Sequence, residues 1–255
     1  MPELPEVERA VVSLRRFLVG RRIVALELHH AALARRMTPK ERRSVAGSRV
    51  IAVRRRGKHQ LIELDDGRYL HAHFRMTGDW AAGAEAAKAR YPRATLTLDD
   101  GSRVVLDDPR ALSTIELDEA GVDPTPGLGP DANDRSLDTG WLAERFATRS
   151  IPIKVALLDQ RLIAGIGNIY AAEALWRARI DPRRPAKSLE RRTIAKLLSS
   201  IRAVLRRASG TRYTEGGARL AVYDRAGKPC RRCKTPISRI TQAGRSTYYC
   251  SKCQR

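Results

Sequence analysis

Apolar residues fall along this chain in two alternating rhythms. Near the start, Val7, Val11, Leu14 and Leu18 recur at helical spacing, with Gly20 just beyond. The spacing predicts a helix over about residues 5–19, stopped by the glycine. From Ile23 to about Leu117 the rhythm changes to short β-rich runs, punctuated by "DDG" at Asp65-Asp66-Gly67 and Asp99-Asp100-Gly101. The flanking runs "HQLIEL"/"RYLHAHF" and "ATLTL"/"SRVVL" predict hairpins, and several such strands predict an antiparallel sandwich or barrel. "DEAGVDPTPGLGPDAND" (118–134) is rich in Pro, Gly and Asp and predicts an interdomain linker. The helical rhythm then returns. In "LERRTIAKLLSSIRAVLRRASG" one face carries Ile194, Leu197, Leu198, Ile201, Val204 and Leu205. Ser188 is the expected N-cap and Gly210 the expected stop. The basic residues of this helix fall on its other faces, where solvation is the default. "TRYTEGGARLAVYDRAGKP" predicts a loop, and no internal repeat is visible.

Charge sharpens that picture. The 255 residues carry 49 Lys+Arg against 28 Asp+Glu, a net charge of +21. An excess of this size points to a polyanionic partner, with nucleic acid the best fit, although an arginine-rich composition with a solvated surface would also account for part of it. A membrane surface fits less well, because no basic amphipathic helix stands beside Trp and Phe anchors. No run approaches the roughly 18 apolar residues that span a bilayer. The N-terminus is acidic and lacks the apolar stretch of a signal peptide. The expectation is a soluble, intracellular protein.

All four cysteines lie at the C-terminal end. Cys230-x2-Cys233 and Cys250-x2-Cys253 stand sixteen residues apart. Two such knuckles supply four thiolates for one tetrahedral, structural Zn²⁺, and the clustering argues against a disulfide framework. From Lys228 to Arg255 there are eight Lys/Arg and no Asp or Glu. A metal-stapled hairpin, "ISRITQAGRSTYY", would present Arg245 just after its Ala243-Gly244 tip. That arrangement suits a DNA groove, although a solvated loop arginine would look the same.

Two more stretches suggest chemistry. In "LIAGIGNIYAAEALWRA" (162–178), Gly165 and Gly167 make a tight turn, and Asn168 is the expected cap of a helix from Ile169 to about Arg179. A glycine turn feeding a helix N-terminus is an anion site, though the pattern alone is common. "MPELPEVE" sets three carboxylates and two prolines in eight residues. Loss of Met1 would leave Pro2 with a secondary amine able to attack a sugar C1′ and form an iminium. Glu3 and Glu6 would stand beside it as acid/base groups. The same residues also fit a plain helix start, with proline at its first position and acids matching its dipole.

"MPELPEVE", "GIGNIYAAEALW" and the terminal four-cysteine finger, in this order, resemble the formamidopyrimidine-DNA glycosylase/endonuclease VIII family of base-excision repair enzymes. "PELPEVE" is similar to the formamidopyrimidine branch. The resemblance covers the whole chain, through "RRRGKHQLIEL", "HFRMTGDW", "DDPRALS", "LGPD" and "PIKVALLDQ". It implies an α+β multidomain fold. An N-terminal antiparallel β-sandwich with flanking helices (1–117) would be followed by the linker (118–134). A helical domain with a helix–two-turns–helix element (135–222) and a zinc-finger hairpin (223–255) would complete it. It also implies a bifunctional DNA glycosylase/AP lyase, monomeric, in the cytoplasm or nucleoid of a bacterium. Such an enzyme would bind damaged or abasic double-stranded DNA in a basic cleft between the sandwich and the helical domain. The structural zinc would be its only cofactor. Pro2 would be the nucleophile, Glu3 would assist sugar opening and proton transfer, and Glu6 would support the site. Lys58 would contact phosphate and aid strand cleavage. Lys154, Asn168 and Arg245 would hold phosphates.

In this family a Met, an Arg and often a Phe fill the gap left by the everted nucleotide. Met76 and Arg110 match the first two. Leu112 stands where the formamidopyrimidine branch typically has Phe, and Ala111 replaces a usual Arg. An apolar wedge need not be aromatic, so Leu112 keeps the role with weaker stacking. A second departure is a short stretch between Gly210 and "VYDRAGKPC", with no sequence matching the lid over the base. It argues against a preference for 8-oxoguanine and leaves ring-opened purines and oxidised pyrimidines. These departures also motivate an alternative, a lesion- or structure-specific DNA-binding protein of the same scaffold with weak or no glycosylase activity. A plain zinc-ribbon nucleic-acid binder would leave "PELPEVE" unexplained.

Overall fold

A computed structural model of the chain describes residues 2–209 and 220–255. Backbone contacts divide these into two compact units, Glu6–Pro126 together with Pro2, and Gly127–Arg255 together with Glu3–Pro5.

The first unit is an antiparallel sandwich. After helix α1 (Leu4–Leu18) come β1 (Ile23–Leu28), two short helices α2 (Ala31–Ala34) and α3 (Pro39–Ser44), and then β2 (Val50–Arg56), β3 (His59–Leu64), β4 (Tyr69–His73), β5 (Asp79–Ala82), β6 (Pro92–Leu98), β7 (Arg103–Asp107) and β8 (Thr114–Asp118). They form two four-stranded sheets, β1-β6-β7-β5 and β2-β3-β4-β8. Alternation along each strand gives each sheet one apolar face. Ile62 and Leu70 from one sheet and Leu96 and Leu106 from the other share a single core with Val7, Val11, Leu14 and Leu18 of α1. That core settles the sandwich-or-barrel alternative in favour of a sandwich. Both "DDG" sequences turn hairpins, with Gly67 at φ +84° and Gly101 at φ +78°. β8 reaches Asp118, so the strand takes the first residue of the stretch read as linker.

The second unit is helical. Its helices are α4 (Thr139–Ala147), α5 (Ile153–Leu157), α6 (Asn168–Ala178) and α7 (Arg191–Ala208). Ile194, Leu197, Leu198, Ile201 and Leu205 of α7 bury the expected face against Leu142 and Phe146 of α4 and Ile169 and Leu175 of α6, while Val204 packs partly buried beside them. Ser188 is not the N-cap of α7. That position belongs to Glu190, and the Ser188 hydroxyl donates to the Pro185 carbonyl at 2.8 Å, closing a short turn ahead of the helix. Gly210 and the first nine residues of the stretch read as a loop, where the shortened lid falls, lie outside the described residues.

A hairpin of β9 (Ser238–Gln242) and β10 (Arg245–Tyr249) closes the chain. Ala243 and Gly244 at its tip both have positive φ, the two-residue turn whose twist matches a hairpin. Arg245 follows the tip and is exposed, as the sequence predicts. The hairpin is tied to α6. Arg232 lies 3.8 Å over the Trp176 ring and donates to the Trp176 carbonyl at 2.7 Å.

Candidate functional site

The N-terminal glutamate and the glycine turn belong to one piece of local structure. Glu3 is fully buried. Its carboxylate accepts from the N–H groups of Gly167 at 2.7 Å, Ile169 at 2.8 Å and Tyr170 at 3.3 Å. These are the donors that the first turn of a helix leaves unpaired. The sequence reading of an anion site at this helix start is right, but the anion there is the chain's own carboxylate. The glycines make the approach possible. A Cβ on Gly167 would lie 2.6 Å from the Glu3 carboxylate, and one on Gly165, at φ +94°, would lie 2.7 Å from Leu4. The Leu4 N–H donates to the Gly165 carbonyl at 2.9 Å. Pro2, joined to Glu3 by a peptide bond, is half-buried, and Glu6 is buried in the first turn of α1.

Asn168 is not a cap. It is the first residue of α6, and its side chain faces the hairpin, donating to the Ser246 carbonyl at 2.9 Å. Lys154 is fully buried and its Nζ donates to the same carbonyl at 3.4 Å. Burial and the Arg245 charge push the Lys154 ammonium down to about 8, against the favourable charge of Glu3. The second unit thus gathers Glu3, Lys154, Asn168 and Arg245. It also brings in Tyr223, whose phenol is raised by burial against a hydrogen bond with Asn168.

The four cysteine sulfurs lie within 4.8 Å of one another, with Cys230 to Cys253 at 4.0 Å and Cys233 to Cys250 at 3.4 Å. Tetrahedral zinc–thiolate geometry calls for sulfurs about 3.8 Å apart. The donor set and spacing fit one structural Zn²⁺ that would hold the hairpin carrying Arg245.

In the first unit Lys58 sits in the two-residue turn between β2 and β3. Gly57, at φ +58°, takes the first turn position, which a side chain disfavours. Lys58 is buried, and its carbonyl accepts from Gln60 Nε2 at 3.1 Å, while Trp80 Nε1 donates to Gln60 Oε1 at 3.3 Å. The turn is therefore braced from the sheet side.

Met76, Arg110 and Leu112 are all exposed and sit on two loops that share one anchor. The Asp108 carboxylate, fully buried, accepts from the Thr77 hydroxyl, from Arg110 N–H at 3.1 Å, from Leu112 N–H and Ser113 N–H at 2.8 Å, and from the Ser113 hydroxyl at 2.8 Å. Burial alone would raise this carboxyl, yet those bonds hold it below its usual value. Arg75 and Ala111 take positive φ, at +56° and +51°. Non-glycine residues in that region mark strain, and strain clusters at functional loops.

Sequence reasoning missed this anchor. Asp108-Pro109 is a turn signal, but nothing in the pattern shows that five donors converge on one carboxylate. It also missed Glu173, which is buried on α6 and accepts from the N–H groups of Ala221 at 2.8 Å, Val222 at 2.8 Å and Tyr223 at 2.9 Å. Glu173 fixes the backbone that presents Tyr223 to Asn168.

Residues 1–115 match the formamidopyrimidine-DNA glycosylase N-terminal domain and residues 128–216 the formamidopyrimidine-DNA glycosylase H2TH domain. Residues 227–255 match the zinc finger found in FPG and IleRS. A formamidopyrimidine-DNA glycosylase of Chloroflexus aggregans is 43% identical over all of this chain and 98% of its own length. A solved structure of MutM in complex with carbocyclic 8-oxo-G containing DNA superposes with a TM-score of 0.90 at 30% identity, covering both chains in full. A complex of the Lactococcus lactis Fpg with an abasic site containing DNA superposes at 0.89 with 29% identity, over 99% of each chain.

Proposed function

The chain belongs to the formamidopyrimidine-DNA glycosylase family, and from that premise we propose how its own residues divide the work of a base-excision repair enzyme. The protein is a DNA glycosylase and AP lyase acting on damaged DNA. Pro2 supplies the nucleophile. Its amine nitrogen bonds to C1′ of the damaged nucleotide as the glycosidic bond breaks and the base leaves. Glu3 takes the proton released by the Pro2 nitrogen and hands it to the sugar ring oxygen as the ring opens to an iminium. Loss of a C2′ proton then expels the 3′ phosphate and cuts the strand. Glu6 supports the site. Lys58, Lys154, Asn168 and Arg245 hold backbone phosphates, while Met76, Arg110 and Leu112 occupy the space vacated by the everted base. Zinc, held by Cys230, Cys233, Cys250 and Cys253, keeps the hairpin folded.

The observation that carries this division is the seating of Glu3. Three backbone N–H groups of the α6 start hold its carboxylate, one peptide bond from Pro2. That grip supports a nucleophile and an acid/base group delivered together to a fixed place, as proximity catalysis requires.

The substrate class is oxidised or ring-opened bases in duplex DNA, and the site of action is the bacterial cytoplasm or nucleoid. Supporting the location, the named relative is bacterial, and among the described residues no helix is long and apolar enough to cross a membrane. The test is excision by purified protein on duplexes containing 8-oxoguanine, a formamidopyrimidine or an oxidised pyrimidine. Base release followed by strand cleavage on at least one duplex is expected. Tight binding without release on any of them would favour a lesion binder instead.

A further inference from the structure

One face of the β2-β3-β4-β8 sheet carries a part-buried cluster to which no role is given above. His59 opens β3, His73 closes β4, and the two are cross-strand partners. His71 lies two residues before His73 on the same face, and Asp118 ends the neighbouring β8. His59 Nδ1 and His71 Nε2 are 2.6 Å apart, and His71 Nδ1 is 3.0 Å from Asp118 Oδ2. The His59 and His73 rings meet edge to face at 4.7 Å. Three imidazoles and a carboxylate are therefore chained across three strands, ending one residue from Lys58.

With the imidazoles neutral, the hydrogen bonds order the protons. The Asp118 carboxylate can only accept, so His71 Nδ1 donates to it. Neutral His71 then accepts at Nε2, and His59 donates from Nδ1. That leaves the lone pair of His59 on Nε2. His73 is set differently, because its Nδ1 accepts the Arg75 N–H at 2.9 Å and its proton must sit on Nε2. In the free protein, therefore, His73 offers an N–H at Nε2, and His59 offers none at its Nε2 until it gains a proton.

The surroundings oppose that proton while no anion is present. Burial, His71, Arg75, Lys58 and Arg56 push the His59 imidazole down to about 4, and burial foremost pushes His73 to about 3. At the other end of this face lie Asp118, Glu116 and Glu63, the last paired with Arg54. Burial raises the Asp118 carboxyl against His71, with Glu116 alongside, and Glu116 is paired with Arg36. A neutral imidazole ringed by three cations suits a site that an anion completes.

We propose that Asp118, His71 and His59 form a proton relay that turns His59 into a phosphate donor when a DNA phosphodiester docks beside Lys58, so that DNA binding takes up a proton. This rests on the reading of Lys58 as a phosphate contact. The phosphate stabilises the proton arriving on His59 Nε2. The His59 Nδ1–H then bonds to His71, and Asp118 balances the charge from the far end. One proton comes from buffer and no other bond changes.

The experiment is calorimetric titration with a duplex containing a tetrahydrofuran abasic-site analogue, which has no C1′ electrophile for Pro2. Titrations run from pH 5.5 to 8 in buffers of different ionisation enthalpy at constant salt. For the native protein, net proton uptake on binding should grow as pH falls. A fully linked proton makes affinity rise by about tenfold per pH unit, so a partial linkage of roughly threefold to tenfold across the range is expected. His59→Gln should lose that increment while binding at pH 8 within about twofold of the native protein. Asp118→Asn keeps size and strand pairing and should blunt proton uptake in the same direction, with a thermal melt confirming its fold. Proton uptake unchanged in both variants overturns the relay. If Lys58→Ala binds as tightly as the native protein, the phosphate site itself is wrong and the relay falls with it. If Lys58→Ala weakens binding and His59→Gln leaves proton uptake intact, the relay alone is wrong.

Discussion

The α6 start and the loop after β7 each converge on one buried carboxylate, but they use it in opposite ways. At the α6 start the carboxylate belongs to the proposed working residue. Glu3 is gripped by three N–H groups, and its side chain has no freedom to spare. In the loop, Asp108 grips the backbone N–H groups of Arg110 and Leu112 and leaves both side chains exposed. The difference follows from the tasks proposed for them. A group that hands over a proton must stay within hydrogen-bond reach of one atom. A wedge must follow DNA that bends and unstacks, so its backbone is fixed and its side chain is not.

Breaking the tighter grip should have the largest effect. Gly167→Ala places a methyl 2.6 Å from the Glu3 carboxylate and must displace it. Base excision in single-turnover assays should fall about 10²-fold or more, the usual contribution of a positioned acid/base group. Strand cleavage at a pre-formed abasic site should fall less, and equal losses would mean that Glu3 is not the group displaced. Next is the hairpin. Cys250→Ser should release zinc and disorder β9 and β10, because metal binding and folding are coupled. Duplex affinity should fall by about tenfold or more with the loss of the phosphate contact proposed for Arg245. Unchanged affinity in zinc-free protein would remove the finger from the interface.

Loosening the backbone grip should cost less chemistry and more stability. Asp108→Ala leaves five donors without their acceptor, and denaturant unfolding should show a loss of about 3 kcal/mol. Excision should drop through weaker lesion binding, with turnover of bound substrate nearly intact. A smaller effect is expected from Lys154. Its ammonium, held at about 8 in the free protein, is the form a phosphate binds, so affinity should weaken above pH 8, by about threefold to tenfold up to pH 9.5. Lys154→Met should bind more weakly at pH 7 and lack this slope. The smallest change should come from Leu112→Phe, which adds stacking surface to the exposed residue proposed as a wedge. Lesion-duplex affinity should rise about twofold to threefold, without a change in melting temperature.

The comparison also separates what is legible in one dimension from what is not. Val7, Val11, Leu14 and Leu18 announce α1, and the two "DDG" turns announce their hairpins, because periodicity and turn chemistry act over a few residues. The zinc knuckles are readable for the same reason. The Glu3 contact spans 164 residues, and only a chance similarity of roles, a carboxylate at one place and an anion site at another, hinted at it. Asn168 reads as a cap from its neighbours and is drawn instead to Ser246, 78 residues away. Asp108, Glu173 and the His59–His71–Asp118 chain depend on which strands and loops meet, and periodicity carries no such information. Proposed roles attached to short motifs were thus legible, while the residues that hold those motifs in place were not.

Pro2 is the centre of the proposed chemistry. Borohydride reduction of the protein mixed with abasic-site duplex should trap a covalent complex, and peptide mapping should place the DNA on the Pro2 nitrogen with Met1 absent. A version with an N-terminal extension that ties this nitrogen into a peptide bond should bind the same duplex but neither trap nor cleave it. Efficient trapping by the extended protein, or mapping of the DNA to a lysine such as Lys58, would contradict the assignment of Pro2 as the nucleophile.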